Sequence, residues 1–569
     1  ETWFDLGLYI DRIRESRDTP QTEGFNDFER FTEFVAGGIA FITFDLSVDG
    51  VSTEIGKYAK SFRKIIKDVP VHFILGELSN RVGKDIIDPS YKIFEVPEIV
   101  GFSKWKHYND FFHTDLERGS DSYNSLILNF WDEVLSITEK LGKYIEENDI
   151  RLLFLINACS NPGNVSLALA MVFISEFMGL PVINNNHDFY WEGGNSRIDI
   201  ATQNLNPGPR DHFFHNSHIG EFFSLIEVLY TWESRSWLQI NINNFQSQQL
   251  IEKYGHNPAN ITEIGTAIDF KYYCGIENGR ILDIYKQLFD IFKNKKKYIN
   301  PLTAKEVISR DLMSKENLLP VFIGRRRTLS LKEIINDNFI FIQPTRIVAR
   351  KKIEINFILI KKLFENKEFS KCFDNNRQLK LTLLITGPIA GGHTEYAERL
   401  TSLFSEMLSE IDSRYRNRIF LGFIFSEFDH PNFKGRYEKP ISIPELYNIA
   451  SLVLLPSETE GRGLPIIESS ACGTPIFVRR YYPEHVYSAV IGEHLSIEER
   501  LKVIEFNNDN IGTEIIDKVA DHVLHPQDYM IEAAENKQVV RNRYTLNSMK
   551  NDLRDALYKL FLQLCDNSD

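Results

Sequence analysis

The sequence predicts an α/β protein of two doubly wound, Rossmann-like domains facing a cleft, with a C-terminal helix packing back on the first domain. Three observations lead there. Short apolar runs alternate with longer amphipathic stretches. The alternation halts over residues 275–337 and then resumes. The length of 569 residues, at roughly 100–200 residues per domain, suits two to four domains.

In the first half, Gly38–Phe44, Val71–Leu75, Leu152–Ile156 and Pro181–Asn184 read as buried strands. Val51–Ile66 and Val165–Met178 carry apolar residues three and four apart and read as helices. Such alternation means βαβ units and a parallel sheet covered on both faces. This domain is placed at 1–274. Residues 275–337, rich in Lys and Asn, read as an insertion and interdomain linker, with the basic runs Lys293–Lys297 and Arg325–Arg327 as solvated surface. The pattern resumes over 338–528, with strands at Phe339–Gln343, Leu381–Thr386, Ile419–Phe425, Leu452–Leu455 and Pro475–Val478. Helices at Glu354–Phe364, Glu395–Leu408, Pro444–Ala450 and Leu464–Ala471 lie between them. The final segment, 529–569, is helical with a break at Tyr544-Thr545. In such sheets ligands bind at the carboxyl ends of the strands, so the loops after those runs are where chemistry is sought.

Composition narrows the function. With 65 basic and 79 acidic residues the formal charge is −14, which argues against a nucleic-acid binder while allowing an anionic ligand in a local basic cluster. The five cysteines, Cys159, Cys274, Cys372, Cys472 and Cys565, show no paired spacing and fit free thiols in a reducing compartment. No repeat of solenoid or propeller period is present. No apolar run approaches the roughly 18 residues of a membrane span, so membrane association is not expected and a cytoplasmic location is the default. A homo-oligomer is allowed.

The most informative stretch is Leu452–Val478, LVLLPSETEGRGLPIIESSACGTPIFV. A strand ends at Pro456-Ser457, a loop carries Glu460, Gly461 and Gly463, a helix starts near Leu464, and Gly473-Thr474-Pro475 turns into another strand. Glycines at a helix start let a ligand reach backbone N–H groups that lack intrahelical partners, and the helix dipole favours a phosphate there. Glu468, one turn into the helix, is suited to a vicinal diol such as a ribose, and Glu460 to whatever lies beyond the phosphates. On the residues alone, the same acids could simply cap the helix.

The stretch closely resembles the E-x7-E signature of the GT-B glycosyltransferases of family 4, carried by Pro456, Ser457, Glu460, Gly461, Gly463, Leu464, Pro465, Glu468, Ala471, Gly473 and Pro475. Arg462 replaces the usual aromatic or Gly. A second element, Gln343–Lys351 (QPTRIVARK), resembles the family's G-R-L-x-x-x-K-G, with Arg346 and Lys351 at the positions that hold the donor diphosphate and Lys352 in place of Gly. A departing diphosphate gains negative charge, which two fixed cations stabilise most in the transition state.

The resemblance implies further site residues. Gly387 matches the glycine closing its strand, with Gly391-Gly392 following, and Phe425-Ser426 stands where relatives hold the nucleobase. In the first half, Asp45–Ser52 with Gly50 resembles the loop near donor sugar and acceptor. His187 matches the histidine that contacts the transferred sugar. Asn161–Asn164 follows a strand and is a candidate for the acceptor cleft, through Asn164. His212, His215 and His218 match no standard zinc spacing.

The family reading is a retaining, metal-independent glycosyltransferase moving a hexose from a nucleoside-diphosphate sugar to a hydroxyl of a soluble carbohydrate or related acceptor, without other cofactor. Arg346 and Lys351 take the leaving group, Glu460 the donor sugar, Glu468 the ribose, and His187 orients the sugar, while Gly461, Gly463 and Leu464 offer backbone donors. An epimerase, a phosphorylase or a non-catalytic nucleotide-sugar-binding subunit on the same fold are the alternatives.

Overall fold

The computed structural model describes residues 3–16, 24–47, 50–79, 86–112, 114, 116–190, 225–226, 228–230, 232–276, 278–293, 298–299, 321–324, 330–387, 389, 394–424, 437–507 and 509–565. The chain divides into two compact units, Glu1–Ala267 with Leu546–Asp569, and Ile268–Thr545, so it passes between them twice.

The first unit is built on strands β1 (Ile39–Leu46), β2 (Val71–Leu78), β3 (Lys92–Glu95), β4 (Leu152–Ile156), β5 (Val182–Asn186), β6 (Trp237–Asn241) and β7 (Ile261–Glu263). They form a parallel sheet in the order β3-β2-β1-β4-β5-β6-β7. Successive side chains leave opposite faces of a strand, so each continuous apolar run feeds two cores. Ala40, Ile42, Leu153 and Leu155 enter one with the long Asp121–Glu147 helix and the Val165–Met178 helix. Ile39, Phe41, Leu152 and Phe154 enter the other with the Gly50–Ile65 helix. The last helix, Leu546–Leu564, closes that second core through Met549, Leu553, Leu557, Leu560 and Leu564, a three-and-four spacing that makes one apolar stripe. The C-terminal helix thus packs on the first sheet, as its amphipathic pattern requires.

The second unit contains β8 (Tyr298–Ile299), β9 (Val321–Ile323), β10 (Asn338–Gln343), β11 (Lys380–Ile385), β12 (Ile419–Phe423), β13 (Leu452–Leu455), β14 (Ile476–Arg479) and β15 (Ile504–Phe506). Their order is β15-β14-β13-β10-β11-β12-β9-β8, parallel except for the antiparallel β12–β9 pair. The order reverses about β10: β11 and β12 lie on one side, β13 to β15 on the other. That makes the β10/β13 edge the switch point, where the following loops diverge and leave a crevice.

The stretch read as insertion and linker belongs, in its described residues, to the second unit. Arg280 on the Asn278–Lys293 helix grips Glu445 with Nε to Oε1 at 2.6 Å and a second nitrogen to Oε2 at 3.0 Å. Ile284 and Leu288 of that helix are fully buried in a core of the second unit. The Leu331–Asn336 helix begins with a Ser330/Glu333 capping box, and Glu333 also meets the buried Lys380 at 3.1 Å. Composition hid this, because the Lys and Asn residues outnumber the few apolar anchors. Residues 529–569 likewise divide: Met530–Arg543 packs in the second unit, and the chain crosses at Thr545–Leu546, beside the break seen in sequence. Strand β12 ends at Phe423, two residues short of the sequence expectation.

Candidate active site

The β10/β13 switch point assembles the two motifs of the second unit. After β10 the chain turns through Thr345-Arg346 and a single 3-10 turn, Ala349–Lys351. A buried amide relay sets the start of this loop: Asn356 Nδ2 donates to Gln343 Oε1 at 2.8 Å, and Gln343 Nε2 to Thr345 Oγ1 at 2.8 Å. Gly387, just beyond β11, lies against the same loop, and a Cβ there would overlap the Thr345 carbonyl and the Arg346 nitrogen. That close approach by itself demands a glycine at this position. Lys352, where relatives have Gly, adopts the left-handed conformation at φ 47°, the geometry that explains the family's preference.

The 456–463 loop is stitched to that turn. The Glu458 N–H donates to the Arg350 carbonyl at 2.8 Å, and an Arg350 guanidinium nitrogen to the Thr459 carbonyl at 2.8 Å. On its other side, the Glu460 N–H donates to the Tyr482 carbonyl at 3.1 Å. These ties bring Lys351 and Glu460, 109 residues apart, into a buried ion pair in which the Lys351 ammonium donates to Glu460 Oε1. The relative exposures are 7% and 9%, so the pair is largely dry.

Burial alone would raise the Glu460 carboxyl, but Lys351, with smaller help from the Ser457 side chain and then Arg350, outweighs burial and holds it below the usual carboxylate range. Burial draws Lys351 down, Glu460 opposes this, and Arg350 and Arg346 add to the lowering. The Lys351 shift thus reflects burial first, with the neighbouring arginines as smaller contributions. Arg346 is exposed. Arg346, Arg350 and Lys351 gather about the paired Glu460 carboxylate, an arrangement that suits an anion.

Gly463, in the left-handed conformation at φ 58°, caps the Leu464–Cys472 helix, with Pro465 in its first turn. The Gly463 and Leu464 N–H groups therefore stand at a helix mouth without intrahelical partners. Gly461 is exposed, with nothing within 4 Å of its Cβ position. Leu464 is half-buried.

Glu468 behaves differently from the sequence picture of a carboxylate waiting for a diol. Its Oε1 accepts from the Tyr273 hydroxyl at 2.6 Å and its Oε2 from the Tyr447 hydroxyl at 2.7 Å. Burial foremost, and Glu468 second, push both phenols well above their ordinary range, so they stay protonated donors. Each carboxylate oxygen keeps a second acceptor site, but the group is already oriented by the protein. Tyr273 is anchored in turn by Asn448 Nδ2, which donates to its carbonyl at 2.6 Å.

In the first unit, His187 sits at the carboxyl end of β5 and is buried. Gln246 Nε2 donates to its carbonyl at 3.3 Å. The neighbouring turn is held by Asn157, in left-handed geometry at φ 59°, whose Oδ1 accepts from the Asp188 N–H at 3.1 Å and the Ser160 hydroxyl at 2.9 Å. Asn164 requires a correction. Its Oδ1 caps the Val165–Met178 helix through the Leu167 N–H at 2.9 Å, and its Nδ2 donates to the Glu98 and Val100 carbonyls, both at 2.9 Å. With no exposure, both Nδ2 hydrogens donated and Oδ1 capping the helix, it is a structural residue rather than an acceptor ligand. Gly50 opens its helix, exposed and in open space. Phe425, Ser426, Gly391, Gly392, His212, His215, His218 and Arg325–Arg327 lie outside the described residues. Among the described residues no group of three or more potential metal ligands occurs, and no helix is long and apolar enough to cross a membrane.

Sequence reasoning missed Arg350, Tyr273 and Tyr447. Tyr447 lies in an apolar helix stripe and Tyr273 on a short helix far upstream, so neither carried a local signal. Arg350 stood inside the quoted motif and was passed over because only Arg346 and Lys351 match the family positions.

The chain is similar to known glycosyltransferases. Residues 429–509 match the family described as "Glycosyl transferases group 1", a segment containing both Glu460 and Glu468. Mannosylglucosylglycerate synthase of Petrotoga mobilis is 22% identical over 446 residues, covering 76% of this chain and 80% of that protein. Among solved structures, Anabaena HepE in complex with UDP and glucose superposes with a TM-score of 0.51 at 12% identity, covering 92% of this chain and 99% of that one. Sucrose-phosphate synthase of Thermosynechococcus elongatus gives 0.52 at 12% identity, with 92% and 99% coverage. At such identities the superpositions speak for the fold: two parallel-sheet α/β units of the GT-B kind.

Proposed function

We propose that this glycosyltransferase, built on a GT-B fold, is a retaining and metal-independent enzyme of family 4 type that moves a hexose from a nucleoside-diphosphate sugar to a hydroxyl of a soluble carbohydrate or related acceptor. The observation that carries the reading is the cation cluster at the β10/β13 switch point, with Lys351 and Arg346 beside the mouth of the Leu464–Cys472 helix. An ammonium has three N–H donors, and Glu460 takes one of Lys351's, leaving two for a diphosphate oxygen. As the glycosidic bond breaks, charge builds on the leaving diphosphate. Fixed cations and N–H groups stabilise that charge without reorganising, which lowers the barrier selectively. The leaving phosphate takes the acceptor's proton on the face it departs from, so no protein nucleophile is required, and cations replace a metal.

Glu460, held rigid by Lys351, is assigned to the donor sugar, and Glu468, set by its two tyrosines, to the ribose. The first unit's part is assigned to His187. The names of the relatives support a sugar-nucleotide donor and a glycoside-type acceptor: HepE holds UDP and glucose in its crystal, and the Petrotoga protein is a mannosylglucosylglycerate synthase.

The test is a screen of nucleotide sugars with pooled acceptors, reading released nucleoside diphosphate in the presence of a chelator. Release that requires an acceptor and survives chelation supports the proposal. Conversion of the nucleotide sugar without acceptor indicates an epimerase instead. Arg346→Ala is expected to leave the melting temperature unchanged, because the side chain is exposed. Losing one charge-assisted contact to the diphosphate should lower kcat/KM by about tenfold or more. Unchanged kinetics would remove Arg346 from the leaving-group site.

A further inference from the structure

We propose that Tyr481 is a further donor-binding residue, its hydroxyl giving a hydrogen bond to a phosphate oxygen of the nucleoside diphosphate at the mouth of the Leu464–Cys472 helix. The inference rests on the diphosphate reading above and adds a residue to it.

Tyr481 lies two residues past β14, at a carboxyl end beside the switch point, and has no exposed surface. Its hydroxyl is sealed from solvent and has no hydrogen-bond partner among the described residues. Native proteins seldom leave a buried hydroxyl unpaired, and an exception asks for a missing partner. The hydroxyl is aimed at Gly463, the cap of the nine-residue helix: a Cβ on Gly463 would collide with it. Gly463 is therefore demanded twice, by its left-handed backbone and by the phenol beside it.

The ring is not free to turn away. It packs edge-on against Tyr487, with centroids 5.1 Å apart and planes at 82°. The next residue, Tyr482, bonds the Glu460 loop in both directions, through the Glu460 N–H at 3.1 Å and the Glu458 carbonyl at 2.8 Å. Burial first, then the nearby Glu460 charge, keeps the phenol protonated. The position thus holds a proton donor with no acceptor among the described residues, beside a helix mouth whose N–H groups are donors too. The complementary group is an oxyanion. Glycines at 461 and 463 give the intervening loop the backbone freedom to uncover the phenol when the anion arrives.

Tyr481→Phe removes only the hydroxyl. Melting temperature without ligand and dissociation constants for UDP, GDP and ADP are measured on wild type, Tyr481→Phe and Lys351→Ala. The unliganded Phe variant is expected to melt at or above the wild-type temperature, since no bond is lost. Its affinity for the preferred diphosphate should fall about tenfold, or 1.4 kcal/mol. An unchanged dissociation constant, or a drop of several degrees in the unliganded variant, overturns the assignment, the latter because it reveals a partner within the protein. If Lys351→Ala loses binding while Tyr481→Phe keeps it, Tyr481 is excluded and the diphosphate reading stands. If wild type binds none of the three, both fall.

Discussion

Lys351→Ala is expected to lower kcat by about 10²–10³-fold, the cost of deleting one preorganised group that stabilises developing charge. It should also destabilise the fold, which distinguishes it from Arg346→Ala. Lys351 and Glu460 are buried together, and removing one member of a buried pair leaves an uncompensated charge that costs about 3–5 kcal/mol. The pH dependence identifies the cause. Without Lys351, the smaller pulls of Ser457 and Arg350 no longer outweigh burial, and the folded-state pKa of Glu460 should rise above the unfolded value. A carboxyl shifted in that direction destabilises at neutral pH, and the penalty fades as pH falls and the group takes up a proton. The stability gap from wild type should therefore narrow on acidification, and the double variant Lys351→Ala/Glu460→Ala should regain stability without regaining turnover. Urea midpoints at several pH values and steady-state rates decide the matter. A single variant as stable as wild type at neutral pH would show the pair to be solvated, and one with full turnover would remove Lys351 from the chemistry.

Gly387→Ala is the second large effect. No left-handed backbone is involved; the constraint is distance, since the new methyl would occupy space held by the Thr345 carbonyl and the Arg346 nitrogen. These are backbone atoms, anchored behind by the Asn356–Gln343–Thr345 relay. Either β11 or the loop must yield, at about 1–3 kcal/mol for overpacking a rigid site. Because that loop leads to Arg346 and Lys351, a shift of about an ångström should reduce kcat/KM on the order of 10²-fold. The two readouts separate the roles. Loss of stability with normal kinetics would mean that the loop position is irrelevant to the reaction, and no change in either would contradict the close approach.

The contrast between Lys351 and Arg346 shows how far a motif can be read. Both belonged to one nine-residue pattern, and each was assigned the same task. The structure gives one a buried carboxylate partner and leaves the other exposed. Glu460 and Glu468 diverge likewise: one meets a cation, the other two phenols. Asn164 looks like a ligand because it follows a strand, yet the same position before a helix also suits a cap: its Oδ1 caps the helix and its Nδ2 ties down the Glu98 and Val100 carbonyls.

Local periodicity by itself determined the two doubly wound sheets, the carboxyl-end loops and the helix that opens at Leu464, because alternating apolar runs have few other ways to bury themselves. Tertiary structure alone decided that the 278–293 helix belongs to the second unit, that Lys351 meets Glu460 across 109 positions, and that Tyr273 and Tyr481 approach the signature helix. Those contacts depend on strand order, which places β13 beside β10 rather than beside its sequence neighbour β12. A pattern of period two or 3.6 records which face of an element is buried and carries no information about which distant element covers it.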